Sequence, residues 1–186
     1  MNTKSMYKMA ALLALSVLLG GCSTFDWSAS RIESESDQAL VVFGEDVSGA
    51  EIFLKQAAGY LVFPRVLRAG FVAGAETGEG LLRINGKTVD YYRISSGSIG
   101  FQAGAQVRSM VIAFMTKHAL EEFRRSNGWR VGIDGSVALI DIGVGKTIDS
   151  HNVRDPVVGF IFGSAGLMYN LTLEGTRFTR LNKTLN

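Results

Sequence analysis

Cysteine is nearly missing from this chain of 186 residues: Cys22 is the only one. It has no partner for an internal disulfide, so the fold must rest on a packed core, and an exported domain rarely keeps an idle thiol. Proline is almost as scarce, at two residues against 22 glycines. Abundant glycine without a short repeat does not indicate disorder when 47% of the residues are hydrophobic. It suits tight turns and bent strands. The two histidines, His118 and His151, lie far apart without metal-ligand spacing and read as surface residues. No G-x-S-x-G elbow is present. Asp134, Asp141, Asp149 and Asp155 supply carboxylates that no pattern pairs. The sequence therefore points away from an enzyme and calls for no cofactor or metal. After the first 21 residues no apolar run approaches the ~20 residues that cross a bilayer.

What is present begins at the N-terminus. Lys4 and Lys8 precede an apolar run from Met9 to Leu19, which leads into Leu19-Gly20-Gly21-Cys22. A run of this length is a signal-peptide core rather than a membrane span. Two glycines leave room for a peptidase, and the cysteine thiol is placed to carry a thioether-linked diacylglycerol. The segment resembles a bacterial lipoprotein signal. The plainer alternative is an ordinary secretory signal beside a stray cysteine. On the lipoprotein reading, residues 1–21 are the signal peptide, 22–30 a lipidated tether and 31–186 the folded domain. An anchor of two or three acyl chains, palmitate among them, holds firmly, since each buried methylene is worth ~0.8 kcal/mol and one chain alone is marginal. Ser23 rather than Asp follows the cysteine, which is similar to outer-membrane sorting in enteric-type bacteria. The expected location is the cell envelope, at the outer membrane facing the periplasm. Losing Lys4 and Lys8 with the signal turns 19 basic and 17 acidic residues into 17 of each. That balance argues against nucleic acid as a partner, which needs a basic excess, and leaves attraction to anionic lipid to a local patch.

Along the mature chain, residues 23–30 form a polar tether in which Phe25 and Trp27 suit either a membrane interface or the domain surface. A helix is expected from about Ser30 to Phe43, with Glu33, Glu35 and Asp37 near its N-terminus. A second should run from Ser48, as N-cap, to about Ala58, with Gly59 as its stop. Beyond Gly59 the hydrophobic period falls to two. Residues 98–107 alternate as one half-buried strand, Asn85-Gly86 marks a hairpin turn, and Leu167 to Leu173 alternate again. Thr116 caps a third helix whose inner face is Ala119, Leu120 and Phe123 and which ends at Asn127-Gly128. The expected fold class is α+β: N-terminal helices packed on a strongly bent antiparallel β-sheet, sandwich-like or barrel-like, with one further helix.

Four stretches taken in order resemble the SYLF domain family. They are Ala57-Ala58-Gly59-Tyr60-Leu61-Val62-Phe63-Pro64-Arg65-Val66-Leu67-Arg68-Ala69-Gly70-Phe71, then Gly97-Ser98-Ile99-Gly100-Phe101-Gln102-Ala103-Gly104-Ala105-Gln106, then Met110 through Ala138, and Gly166 through Gly175. The resemblance covers about residues 37–181. It implies a β-rich domain with N-terminal helices that binds phospholipid, phosphoinositides in eukaryotic members, which also serve in membrane and actin remodelling. The chain departs from the family pattern at Tyr91-Tyr92-Arg93-Ile94, where Trp-Ser-x-Pro is common, and at Ser109, where an acidic residue is common.

A lipid head-group site needs cations beside apolar surface. Lys55, Arg65 and Arg68 lie nearest the helix-to-strand junction, and the resemblance places basic residues at Arg65 and Arg68, whose planar forks suit phosphate oxygens. The plainer alternative is that these are solvated surface residues. Arg124, Arg125 and Arg130 form a second cluster that reads as a solvated helix end. Gly143-Val144-Gly145-Lys146-Thr147 lacks the first glycine of a phosphate loop, position 140 being Ile, and reads as a turn. The acidic, glycine-rich segment Gly74–Gly80 would repel phosphate and reads as a hairpin turn. The expected partners are membrane phospholipid and a covalent diacylglycerol at Cys22. The alternative is a structural lipoprotein that binds an envelope protein.

Overall fold

In the computed structural model, residues 26–99, 104–126, 128–141, 155–166 and 173–184 are described. Two helices come first, α1 (Ala29–Asp46) and α2 (Ala50–Gln56). Four long strands follow: β1 (Gly59–Gly70), β2 (Ala73–Ile84), β3 (Lys87–Ile99) and β4 (Gly104–Phe114). Helix α3 (Lys117–Arg125) interrupts them, and β5 (Trp129–Arg130), β6 (Ala138–Asp141), β7 (Val157–Gly166) and β8 (Arg177–Leu181) complete the order. The strands form one strongly curled half-barrel sheet in the order β5-β8-β3-β2-β1-β4-β7-β6. Every pair is antiparallel except β6–β7, so the α+β class stands as expected, with one parallel pair added at the edge.

The sheet separates two cores. On its outer face α1 buries Ala29, Ile32, Ser36, Ala39 and Phe43, a three-and-four spacing that puts all five on one stripe. Phe43 meets Phe160 and Phe162 with ring centroids 5.2 Å apart, and Phe53 of α2 meets Phe160 at 5.0 Å. Inside the curl, Phe123 of α3 packs on Tyr92, Phe114 and Trp129 at 4.9, 4.8 and 5.7 Å. Thr116 caps α3 by accepting from the Ala119 N–H, and Ala119, Leu120 and Phe123 are buried, as the sequence indicates.

The curl originates at a bulge in β1. Its registers with β2 and β4 both slip between Val62 and Val66, around Pro64, which has no N–H to give to a ladder. The Ser109 hydroxyl donates to the Pro64 carbonyl at 2.8 Å, so the non-acidic residue at that position supports the bulge. Gly78 and Gly80 face it from β2. A Cβ on Gly80 would lie 2.1 Å from the Val62 oxygen, and one on Gly78 2.6 Å from the Arg65 oxygen.

Several expectations are corrected by the structure. Gly74–Gly80 is no turn but part of β2, and the reversal falls at Phe71-Val72. Residues 98–107 are not one strand: β3 ends at Ile99 and β4 begins at Gly104, with 100–103 outside the described residues. Alternation in a Gly/Ala-rich stretch does not reveal where a chain reverses. Gly49, in the left-handed region at φ 86°, precedes α2 rather than a capping Ser48, and Gly59 opens β1, where Leu120 and the Arg83 carbonyl leave only 3.1 Å for a Cβ. No acid lies in the first turn of α1. Glu33 and Asp37 instead tie the helix to β2 through Arg83, at 3.0 and 2.6 Å. Asn85-Gly86 forms the expected hairpin turn, both residues at positive φ. Leu167, Tyr169 and Leu171, the Gly143–Thr147 segment, His151, Phe25 and Asn127 lie outside the described residues. Trp27 is buried against the domain, with Arg31 stacked 4.5 Å over its ring. Asp26 and Trp27, within the stretch read as tether, thus belong to the folded domain, where Asp26 pairs with Lys183.

Tyr91 and Tyr92 sit side by side on β3 and face the two different cores. Burial pushes both phenols up to about 12, helped by the Glu33 carboxylate at Tyr91 and by Asp90 at Tyr92. An unfolded tyrosine ionises near pH 10. The stability each contributes is therefore fully present below pH 10 and lost as pH rises through 12, on the order of 2 kcal/mol for the more deeply placed Tyr92 and less for Tyr91. Denaturant melts between pH 9 and 12 should show this loss, and Tyr92→Phe should flatten part of it. An identical pH slope in the variant would rule out the buried phenol as its source.

Candidate functional site

The helices and sheet leave an apolar cavity of about 410 Å³ where α1 and α2 meet the start of β1 and the β2–β3 turn. Leu40 and Phe43 line it from α1, Leu54 from α2, and Ala57 and Tyr60 from the chain that enters the sheet. Gly44 of α1 borders it with nothing within 4 Å of where a Cβ would stand. Lys55 stands at the rim, exposed and paired with Glu51 at 2.7 Å, an i,i+4 contact along α2. The size lies within the range of small-molecule pockets, and such a lining accepts hydrocarbon.

A second cavity of about 510 Å³ shares Ala57 and Asn85 with the first and opens beside α3. Its cations are Lys117, which is exposed, and Arg124, which lies 3.4 Å from Asp90. An apolar slot thus adjoins a more polar one, with Lys55, Lys117 and Arg124 distributed over the two linings. Among the described residues no cluster of three or more His, Cys, Asp or Glu side chains can hold a metal ion, and no helix is long and apolar enough to cross a membrane.

The three cations expected to share a head-group site are not brought together. Lys55 borders the cavity. Arg65 is exposed on the outer face of β1. Arg68, three residues on, points to the other face and is buried at 6% exposure. Arg68 also stands eight residues beyond Tyr60, about 26 Å along the strand from the cavity. Its neighbours inside the curl are Glu76 and Gln106, directly across the two ladders, and Arg108 beyond them. Arg108 and Glu76 form an ion pair of 2.7 Å with almost no exposure on either side.

Sequence reasoning missed Lys117; Arg124 is an exposed residue in the last turn of α3, as expected, and also borders the second cavity. A signal existed for Lys117: a cation in the first turn of a helix opposes the helix dipole, so a lysine there is not explained by helix formation. His118 is solvated as expected, 79% exposed beside Glu122.

Residues 95–184 match the family model Ysc84, described as Las17-binding protein actin regulator. Over residues 95–184 the chain is similar to the SYLF/Ysc84 family. That family is associated with lipid binding and actin regulation. The match spans the end of β3 through β8 and includes α3. The helices α1 and α2 and the stretch from Ala57 to Phe71 precede it. No curated protein matches the chain significantly.

The buried pair next to Arg68 can be tested directly. Removing one partner strands a charge in the interior, so Arg108→Ala should cost about 3–5 kcal/mol, whereas Arg108→Met combined with Glu76→Leu should cost much less. Equilibrium unfolding in urea measures both. Equal losses in the single and double variants would mean that side-chain volume, not charge, matters at Arg108.

Proposed function

We propose that this chain is a lipid-anchored protein of the bacterial envelope whose SYLF/Ysc84 domain binds phospholipid without catalysis. The observation that carries the reading is the apolar cavity between α1, α2 and β1 with a cation-bearing cavity joined to it. Hydrocarbon enters the first, and Lys55, Lys117 and Arg124 receive an anionic head group of phosphoinositide or other type. Apolar contact supplies most of the affinity and the cations select sign. Cys22 carries the acyl anchor and keeps the domain at the outer membrane, on its periplasmic side. A second reading is supported by the family's description as a partner-binding regulator: a lipoprotein that engages an envelope protein and touches lipid only through its anchor. Crosslinking in cells separates the two by revealing or failing to reveal a dominant protein partner.

Gly44 gives the sharper test. Its Cβ position is open, so Gly44→Leu fills the cavity without backbone strain and raises helix propensity by up to about 1 kcal/mol. Displacing about two methylenes of bound chain costs ~1.6 kcal/mol, roughly tenfold in affinity. The purified variant should melt no lower than the parent yet bind a chain-labelled phospholipid about tenfold more weakly. Undiminished binding would remove the cavity from the proposal.

A further inference from the structure

At the opposite end of the sheet from the cavity, the β1–β2 hairpin ends in Ala69-Gly70-Phe71-Val72-Ala73-Gly74-Ala75, seven residues without a polar side chain. Phe71 and Val72 form its tip and are 62% and 54% exposed. From Val66 to Gly78 the hairpin carries only two charges, Arg68 and Glu76, and both are buried inside the curl. Its surface over that length is therefore uncharged, and Arg65 is the exposed cation that closes it off from below.

The course of α1 relates this tip to the N-terminus. Trp27 donates its N–H to Glu79 midway along β2, Glu33 and Asp37 reach Arg83 further on, and Phe43 and Gly44 border the cavity with Asn85. The helix therefore runs along β2 from the tip side toward the cavity. Lys183 fastens its start by pairing with Asp26 and Glu79 at 2.6 and 3.1 Å. From Asp26 the four residues back to Cys22 span at most about 14 Å. From Glu79 to Val72 is about 23 Å of strand. A tether extended toward the tip would therefore bring an anchored Cys22 to within about 10 Å of the tip's height, the depth of an interfacial insertion.

We propose that the Phe71-Val72 tip inserts into the same lipid bilayer that holds Cys22, so that the domain stands on two points with its cavity turned away from that membrane. This rests on the reading of Cys22 as acylated. A flat, charge-free tip with one large aromatic and one branched side chain fits acyl chains, and two contacts fix an orientation that one flexible tether does not.

The test uses the full chain, processed in a bacterial host and reconstituted in protein-free vesicles. With Cys22 acylated, Val72→Cys carries the only free thiol, and a polarity-sensitive dye attached there reports the surroundings of the tip. Ile52→Cys, 65% exposed on α2, reports the cavity end. The dye at position 72 should brighten severalfold over that at 52, be quenched by lipids bearing a mid-chain nitroxide, and resist aqueous iodide. Equal iodide quenching at 72 and 52, with the acyl mass present on Cys22, overturns the insertion and leaves the tip to a protein partner. Absence of that mass overturns the anchored reading itself and the insertion with it.

Discussion

The close contact between the β1 bulge and two glycines of β2 is the constraint on which the molecule depends. The carbonyls of Val62 and Arg65 occupy the space where Gly80 and Gly78 would otherwise carry Cβ atoms. A backbone oxygen cannot rotate aside as a side chain does, so any larger residue at these positions would push the strands apart. The contact allows β1 to slip by one residue against both neighbours at Pro64, and a bulge flanked by paired strands increases local twist. The sheet closes toward itself there and acquires an inside. Phe123 of α3 fills one end of that inside, and Arg68, Glu76 and Arg108 occupy the other.

The same strand decides how charge is distributed. Glu76 and Glu79 are three apart on β2, so the pleat sends them to opposite faces. Glu76 enters the curl and pairs with Arg108, while Glu79 lies buried on the outside and accepts from Arg93, Lys183 and the Trp27 N–H. Burial costs both carboxylates their water, and each is compensated by guanidinium or ammonium. The inner group is less completely matched: Glu76 Oε1, Gln106 Oε1, and Nε and Nη1 of Arg108 have no hydrogen-bond partner. The outer group joins chain segments far apart in sequence, since Asp26 and Lys183 meet over it. On that side burial alone would lower the pKa of Lys183, yet hydrogen bonds to Asp26 and Glu79 outweigh it and hold it above the ordinary lysine value.

Periodicity made the helices legible and, in most places, the strands. Residues 29, 32, 36, 39 and 43, or 119, 120 and 123, repeat at helical spacing because only one stripe is buried. Asn85-Gly86 was legible because two consecutive positive φ angles require those residue types. The reversal at Phe71-Val72 was hidden because its residues look like core, and Gly74–Gly80 resembled a turn because its glycines serve close packing rather than reversal. Arg68 illustrates the limit for the site. A cation near a helix-to-strand junction looks like surface until the register past the bulge is known, and one inserted residue exchanges the two faces. Lys117 lies 32 residues beyond Asn85 and 60 beyond Ala57, just after α3's cap, so its approach to the α2–β1 junction is a property of the curl.

The two ends of the hairpin have opposite chemical character, and α1 connects them. Among the described residues, one end presents the exposed Phe71 and Val72 and no exposed charge. The other encloses an apolar cavity and places ammonium and guanidinium groups beside it. About 12 residues of strand separate them, close to 40 Å, comparable with the full thickness of a bilayer including its head groups. A membrane that receives the tip end-on therefore does not reach the cavity. If the chain is anchored from the tip side, a lipid in the cavity has left the anchoring leaflet or belongs to another surface, so the domain acts as a holder or a bridge rather than a patch lying flat. The cations at the cavity end fit that arrangement, since a molecule removed from its bilayer needs its head-group charge matched by the protein once neighbouring lipids and their counter-ions are gone.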